Sequence, residues 1–267
     1  METVYFFGYL GALFVGIILG IMGSGGSIIA IPIFTYLFHI SPVATTAYSL
    51  FVVGVSASIG VVRNWRKGLV DLRVALVFAI PAFLMVFLVR KYMLPIIPRE
   101  LFTIKDLIIT KDMMVMVLLA FTMLLCSLSM LRKKKLQVVL CSSQYRYNYL
   151  LIMFQGLLIG LFTGILGIGG GFLIIPTLVL LIKLPIKKAV ATSLFIIAIK
   201  SLVGFVGDLG NHKIDWAFLF AFTLVSVLGI FLGIYLSTFI NGEKLKKLFG
   251  WMLLFIALGV FYFEFFY

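Results

Sequence analysis

The chain has 267 residues, of which 63% are hydrophobic and only 12% are charged. Soluble domains are about 45–50% apolar and about 25% charged, so this chain cannot hide its apolar surface inside a water-soluble globule. The formal charge is +13, but the basic residues form short blocks between apolar runs, as in the loops of membrane proteins. The composition therefore predicts an integral membrane protein and excludes a nucleic-acid partner.

Ten apolar elements follow one another along the chain. The first has no basic region of the kind that precedes a cleaved signal, so we expect it to remain as a helix. Elements 26–38 and 170–182 would each reach about 18–20 Å, whereas the hydrocarbon core is about 30 Å thick. Both are predicted to be half-helices or re-entrant segments, with a full crossing left open. The ten elements run over 5–22, 26–38, 43–62, 72–91, 113–131, 148–166, 170–182, 187–206, 214–238 and 246–266.

The chain contains an internal repeat with an offset of 144 residues. Residues 16–32 (GIILGIMGSGGSIIAIP) align with 160–176 (GLFTGILGIGGGFLIIP), so that five glycines and one proline coincide. The same offset, without a gap, pairs AYSLF at 47–51 with ATSLF at 191–195. Such self-similarity over a long stretch predicts two copies of one structural unit.

Each copy holds five elements, and an odd number of crossings makes the second copy enter the membrane in the opposite orientation. The loop charges agree, because the basic side changes between copies. Loop 63–73 is basic and its counterpart near 207–215 is not, whereas 39–42 lacks Lys and Arg and its counterpart 183–188 carries three lysines. The positive-inside rule then places 63–73 and 183–188 in the cytoplasm and both termini outside.

These patterns predict an all-α integral membrane protein made of two inverted repeats of about five helical elements each. The short elements that follow the glycine-rich loops are its broken or re-entrant helices. The first repeat covers 1–130, a basic cytoplasmic linker covers 131–147, and the inverted second repeat covers 148–267.

Two glycine-rich loops, at 23–27 and 167–171, each lie between an apolar helix and a short one. Glycines leave backbone N–H groups uncovered, and a helix start offers free N–H groups with partial positive charge. That combination binds anions, and transporters place their substrates at such broken helices between repeats. The residues predicted to line a substrate site here are Gly23, Ser24, Gly25, Gly26, Ser27, Gly167, Gly169, Gly170 and Gly171.

The glycines also allow a purely structural interpretation. Gly16, Gly20 and Gly23 are spaced by four and then three residues, as are their mates at 160, 164 and 167. This small-residue face is typical of closely packed membrane helices. For these six glycines packing is the favoured prediction, and Gly23 and Gly167 belong to both sets.

Polar side chains inside apolar segments are further candidates, because they are costly in a membrane. Ser49 and its repeat mate Ser193, together with Thr192, could complete the coordination of an anion, or could bond back to their own helices. Lys200 could neutralise a bound anion, although snorkelling to the interface is the preferred interpretation. These four residues complete the predicted substrate site.

Three aspartates lie at predicted loop ends. Asp71 and its repeat mate Asp215 precede helices and are predicted to be N-caps. Asp208 near His212 could relay protons, but we expect it to lie in a solvated loop.

The duplicated block G-x-x-G-x-G-G-(G/S)-x-x-x-x-P, followed by A-(T/Y)-S-L-F, resembles the sulfite exporter TauE/SafE family of membrane permeases. The resemblance covers about 8–90 and 150–265. It implies a multi-pass permease of a bacterial-type inner membrane, in a family linked to sulfite, sulfonates and other sulfur-containing anions. Ser24 and Ser27 stand where the second copy has Ile168 and Gly171, so the substrate preference is not fixed by the resemblance.

The sequence predicts no enzyme, because it contains no zinc-protease helix, nucleophile elbow or Walker loop. We expect a secondary transporter, an exporter or permease, for a small anion such as sulfite or an organosulfonate. An anion channel that uses the same glycine loops is the alternative. No cofactor or metal is expected. The expected partners are the anion and the bilayer, with a proton or Na⁺ as coupling ion and a homo-oligomer both left open.

Overall fold

The computed structural model describes residues 2–98, 100–104, 107–131, 148–166, 171–180, 182, 184–209, 214–240 and 242–266. Within them the chain is almost entirely helical, as predicted, and each predicted apolar element corresponds to a helix whose ends differ by a few residues. The predicted linker lies outside the described residues apart from position 131. The helices of the first half are α1 (Glu2–Met22), α2 (Gly26–Pro32), α3 (Pro42–Arg66), α4 (Leu72–Leu88), α5 (Leu94–Ile96) and α6 (Lys111–Leu131).

The described part of the second half repeats this order except for the short α5. Its helices are α7 (Tyr149–Leu166), α8 (Gly171–Leu180), α9 (Ile186–Asp208), α10 (Trp216–Leu236) and α11 (Gly242–Phe266). Thus α6 is the fifth element of its half, and α11 is its counterpart. π-Helical turns extend α2 over Ile33–Leu37 and α4 over Val89–Met93. One feature was not predicted. The connection before α6 contains an antiparallel hairpin of β1 (Glu100–Ile104) and β2 (Leu107–Thr110).

Six helices in the described part of the chain are long and apolar enough to cross a membrane. They are Pro42–Arg66, Leu72–Ile96, Lys111–Leu131, Tyr149–Leu166, Lys187–Asp208 and Trp216–Leu236. By contrast, α2 with its π-helical turn has 12 residues and α8 has 10. At 1.5 Å per residue they reach about 15–18 Å, so neither helix is long enough by itself to span a hydrocarbon core of about 30 Å.

The internal repeat is visible in how the helices pack. The first helix of each half makes its most extensive contacts with the fourth element of the other half, α1 with α10 and α7 with α4. The third elements pack on each other, α3 on α9, and so do the fifth, α6 on α11. The halves are therefore interlocked around a shared core. The orientation of each half in the membrane remains the prediction made from the loop charges.

Glycines allow the interlocked helices to approach closely. A Cβ on Gly160 would lie 2.6 Å from the Ala82 carbonyl oxygen of α4, and one on Gly16 would clash with the Ser226 carbonyl oxygen of α10. The contact partners are themselves repeat mates, since 226 − 82 = 144, the offset of the sequence repeat. The structure thus confirms the packing role that was predicted for Gly16 and Gly160, whereas Gly167 of the same predicted set lies outside the described residues.

Candidate functional site

The first glycine loop turns sharply between α1 and α2. Gly23 has φ +65° and Gly25, which precedes α2, has φ +92°, conformations that side-chain-bearing residues rarely adopt. The Gly23 N–H donates to the Leu19 carbonyl at 2.8 Å and so closes the last turn of α1. Gly26 then begins α2, where a Cβ would lie 3.3 Å from the Leu19 Cβ. The glycines thus fold the half-helix back against α1.

The first loop lies directly against the start of the second half-helix. A Cβ built on Gly171, the first residue of α8, would lie 2.9 Å from the Ser24 Cα and would also clash with the Ser24 Cβ. The same Cβ would clash with the Ile197 Cδ1 of α9. Ser24 and Gly171 are therefore in contact, and only a glycine fits at the second position. The predicted site residues Gly167, Gly169 and Gly170 lie outside the described residues.

Two serines of the first loop are buried here. Ser24 has no exposed surface, and its Oγ has no hydrogen-bond partner in the described part of the molecule. Ser27 is 2% exposed and lies in the first turn of α2. A buried hydroxyl without a partner costs about 1–3 kcal/mol, so Ser24 Oγ is available for a ligand.

The repeat mates Ser193 and Ser49 are both fully buried but are used differently. The Ser193 hydroxyl donates to the Val190 carbonyl of its own helix at 2.8 Å and approaches the Gly23 carbonyl at 3.0 Å. Ser193 therefore ties α9 to the first glycine loop. The Ser49 Oγ has no partner among the residues that are described. Only Ser193 shows the backbone bond that was considered as the alternative to anion coordination.

Lys200 is fully buried in the interior of α9. Its Nζ donates to the Thr163 Oγ1 of α7 at 2.9 Å, and no carboxylate lies within 4.0 Å of it in the described ranges. The preferred prediction of a snorkelling lysine is therefore wrong, because the side chain is held inside the protein by a hydroxyl of the other helix. An ammonium in such a place is expensive unless an anion accompanies it.

One face of α9 collects these contacts. Five residues of α9 follow one another at spacings of four, three, four and four residues, so they share one face of the helix. They are Ser193, Ile197, Lys200, Gly204 and Asp208. Along this face α9 meets the first glycine loop, the start of α8, Thr163 of α7, and then α4. Lys200 is thus one to two helical turns from the meeting point of the two half-helices.

Thr192 contacts a different part of the protein from the adjacent Ser193. Its hydroxyl accepts a hydrogen bond from the backbone N–H of Asp71 at 3.0 Å, at the start of α4. The Asp71 carboxylate in turn caps α4 by accepting from the Val74 N–H, and Asp215 caps α10 in the same way through the Phe218 N–H. Both predicted N-caps are confirmed. The structure thus places the Thr192 hydroxyl at the contact between the two halves.

A buried ion pair was missed from the sequence. The Arg90 Nη1 donates to Asp208 Oδ2 at 2.8 Å and to Thr46 Oγ1 at 2.8 Å, with both charged side chains at most 1% exposed. The prediction that Asp208 lies in a solvated loop is wrong, because it is the last residue of α9 and faces α4. The available signal was Arg90 itself, a charged residue that follows sixteen uncharged ones in the apolar run Leu72–Ile96, but nothing in one sequence pairs it with an acid.

No cluster of three or more His, Cys, Asp or Glu residues that could hold a metal ion occurs among the described residues. The arrangement instead offers hydroxyls, backbone amides and two buried cations. Groups of these kinds are the ones that bind anions in proteins.

A helical bundle with half-helices meeting beside a buried lysine defines a multi-pass membrane transporter. The sulfite exporter TauE/SafE family matches residues 9–260, and the chain belongs to that family. A "Probable membrane transporter protein" of Xylella fastidiosa is 27% identical over 249 residues, covering 92% of this chain and 90% of the relative. In Bacillus subtilis, the "Probable membrane transporter protein YdhB" is 26% identical, covering 82% and 84%. A second protein of that organism, YunE, has the same description and is 39% identical over 33% of this chain and 31% of its own length. No solved structure matches the chain.

Proposed function

We propose that this transporter is a secondary carrier for a small sulfur-containing oxyanion, such as sulfite or an organosulfonate. The observation that carries the proposal is the complete burial of Lys200 with a neutral hydroxyl as its hydrogen-bond partner and no carboxylate within ion-pair distance among the described residues. A mobile anion would supply the missing negative charge.

The surroundings of Lys200 support this choice of ligand. The same face of α9 reaches the contact between Ser24 and Gly171, where an unpartnered hydroxyl is buried. Backbone N–H groups of the glycine loops and the Ser24 hydroxyl can donate to an oxyanion, and the lysine can balance its charge. The sulfur chemistry rests on the description of the family, which names a sulfite exporter.

The repeat supports alternating access. The first helix of each half packs on the fourth helix of the other, which gives two units, α1 with α10 and α7 with α4. A rocking of one unit against the other would open the contact between the half-helices first to one side of the membrane and then to the other. In this proposal the protein lies in an inner membrane with both termini outside. A proton or Na⁺ gradient drives the transport.

The test is sulfite flux in proteoliposomes that contain the purified protein. A carrier gives saturable uptake and exchanges labelled for unlabelled sulfite, and imposed proton or Na⁺ gradients identify the coupling ion. Lys200→Met should lower the rate at least about tenfold, the equivalent of one lost charge interaction of about 1.4 kcal/mol. Lys187→Met is the matched control, because Lys187 is an exposed lysine of the same helix.

Two results would end the proposal. One is a rate of sulfite uptake by the Lys200→Met variant that equals the wild-type rate, which would show that transport does not use the buried charge. The other is a conductance that neither saturates nor supports exchange, which is the behaviour of a channel. Sulfate, thiosulfate, methanesulfonate and acetate in the same assay define which oxyanion is preferred.

A further inference from the structure

Only one of the three nitrogens of the Arg90 guanidinium has hydrogen-bond partners among the described residues. Its Nη1 donates to Asp208 and Thr46, each at 2.8 Å. Its Nε and Nη2 are buried and have no hydrogen-bond partner among the residues that the structure describes. These two nitrogens lie on one edge of the planar group, and their N–H bonds run nearly parallel. That edge is the one that holds two oxygens of a single oxyanion.

The partners of Nη1 fix the direction of this free edge. Thr46 is itself held, since its hydroxyl donates to the Val43 carbonyl at 2.6 Å, and Asp208 lies at the end of α9. The Arg90 backbone belongs to the π-helical turn Val89–Met93, and such turns occur frequently at functional sites. The guanidinium is therefore oriented by neighbours in both halves before any ligand arrives.

The position of Arg90 relates it to the proposed transport path. Asp208 lies eight residues beyond Lys200 on the same face of α9, a rise of about 12 Å at 1.5 Å per residue. Two buried cations thus lie along one face of α9, Lys200 on the helix itself and Arg90 through its bond to Asp208, and the predicted topology places Arg90 nearer the outer surface. In the described residues around it, Asp208 is the one acid within ion-pair distance of Arg90, and the neighbouring Lys91 is exposed.

We propose that the Nε–Nη2 edge of Arg90 is a second anion subsite, which binds an oxyanion through two parallel hydrogen bonds between the outer surface and Lys200. This subsite rests on the proposed function, because it lies on the same path. The Asp208 carboxylate keeps the guanidinium oriented and is a competing negative charge beside the bound anion. The subsite is specific for anions with two oxygens in one plane, whereas a monatomic anion gains little from it.

The experiment is titration calorimetry of the detergent-purified full chain with sodium sulfite, sodium sulfate and sodium chloride. Arg90→Lys retains the charge and a bond to Asp208 but removes the two-pronged edge. It should weaken sulfite binding at least about tenfold and chloride binding by less than about threefold, so the oxyanion preference falls. Lys91→Gln is the control on the adjacent residue and should leave both constants unchanged.

Asp208→Asn is an independent test, which retains Arg90. Removing the competing charge should tighten sulfite binding several-fold, whereas loss of a merely structural clamp would leave it unchanged or weaken it. An unaltered ratio of sulfite to chloride affinity in Arg90→Lys, or no gain in Asp208→Asn, would overturn the subsite. If the wild-type protein neither binds nor carries any oxyanion, the proposed function fails. If the wild-type protein binds and carries an oxyanion but these variants behave like the wild type, only the subsite fails.

Discussion

The Tyr48 hydroxyl accepts a hydrogen bond from the backbone N–H of Asp215 over 2.7 Å. The repeat mates of these two residues are joined in the same way, since the Thr192 hydroxyl accepts from the Asp71 N–H at 3.0 Å. In each case the start of a fourth helix in one half is fixed to the third helix of the other. A matched pair of bonds therefore holds the interlocked halves together at two places.

Removing either hydroxyl should loosen this joint. Tyr48→Phe and Thr192→Val each delete one acceptor, and we expect each to lower the free energy of unfolding by about 0.5–1.5 kcal/mol, the usual value of such a bond. The measurement is thermal unfolding in detergent. Tyr235→Phe is the control, because Tyr235 is 57% exposed on α10. Equal melting temperatures for Tyr48→Phe and Tyr235→Phe would show that the joint contributes nothing.

The glycines of the helix crossings should tolerate no side chain. Gly16→Ala would drive a methyl group into the Ser226 carbonyl of α10, and overpacking of this kind costs about 1–3 kcal/mol or more. Gly259→Ala is the matched control, because no atom lies within 4 Å of a Cβ at that position of α11. The expected result is a lower melting temperature for the first variant alone. A similar stability of both would mean that α1 and α10 are not held at this distance.

Much of this fold could be predicted because it follows from local patterns. Apolar runs mark helices, and the caps at Asp71 and Asp215 follow from the preference of aspartate for helix starts. The lengths of the apolar runs 26–38 and 170–182 predicted that α2 and α8 would both be short. The hairpin β1–β2 was missed, since its residues lie in a mixed charged and apolar segment without a strong turn signal.

The candidate site was harder to predict because buried charges depend on distant partners. Lys200 looked like a snorkelling residue, since the sequence could not reveal that Thr163 of another helix accepts from it. Asp208 looked solvated because it ends a helix, yet Arg90 lies 118 residues earlier and faces it. The repeat gave no warning, because the mates of Lys200 and Arg90 are Ser56 and Ile234. Each of these two charges therefore occurs in one copy of the repeat and not in the other.

The opposite orientation of the two halves can be tested by labelling. We expect Lys135→Cys to react with a membrane-impermeant maleimide only from the cytoplasmic side and Lys105→Cys only from the outside. The background should carry Cys141→Ser, whereas Cys126 is buried and can serve as the internal negative control. The predicted topology requires this because α6, which is long and apolar enough to cross a membrane, separates the two positions. Reaction of both from the same side would show that α6 does not cross and would contradict the predicted inverted topology.

The energy of the Arg90–Asp208 pair can be separated by a double-mutant cycle. Asp208→Leu leaves a buried guanidinium without its carboxylate, and Arg90→Met leaves the opposite charge, so each should cost about 3–5 kcal/mol. The double variant replaces the pair by apolar groups and should cost well below the sum of the two, because no unpaired charge remains. Thermal and denaturant unfolding measure the three values, with exposed Lys91→Met as control. Additive losses would show that the two charges do not interact and that the packing at the end of α9 depends on each side chain separately.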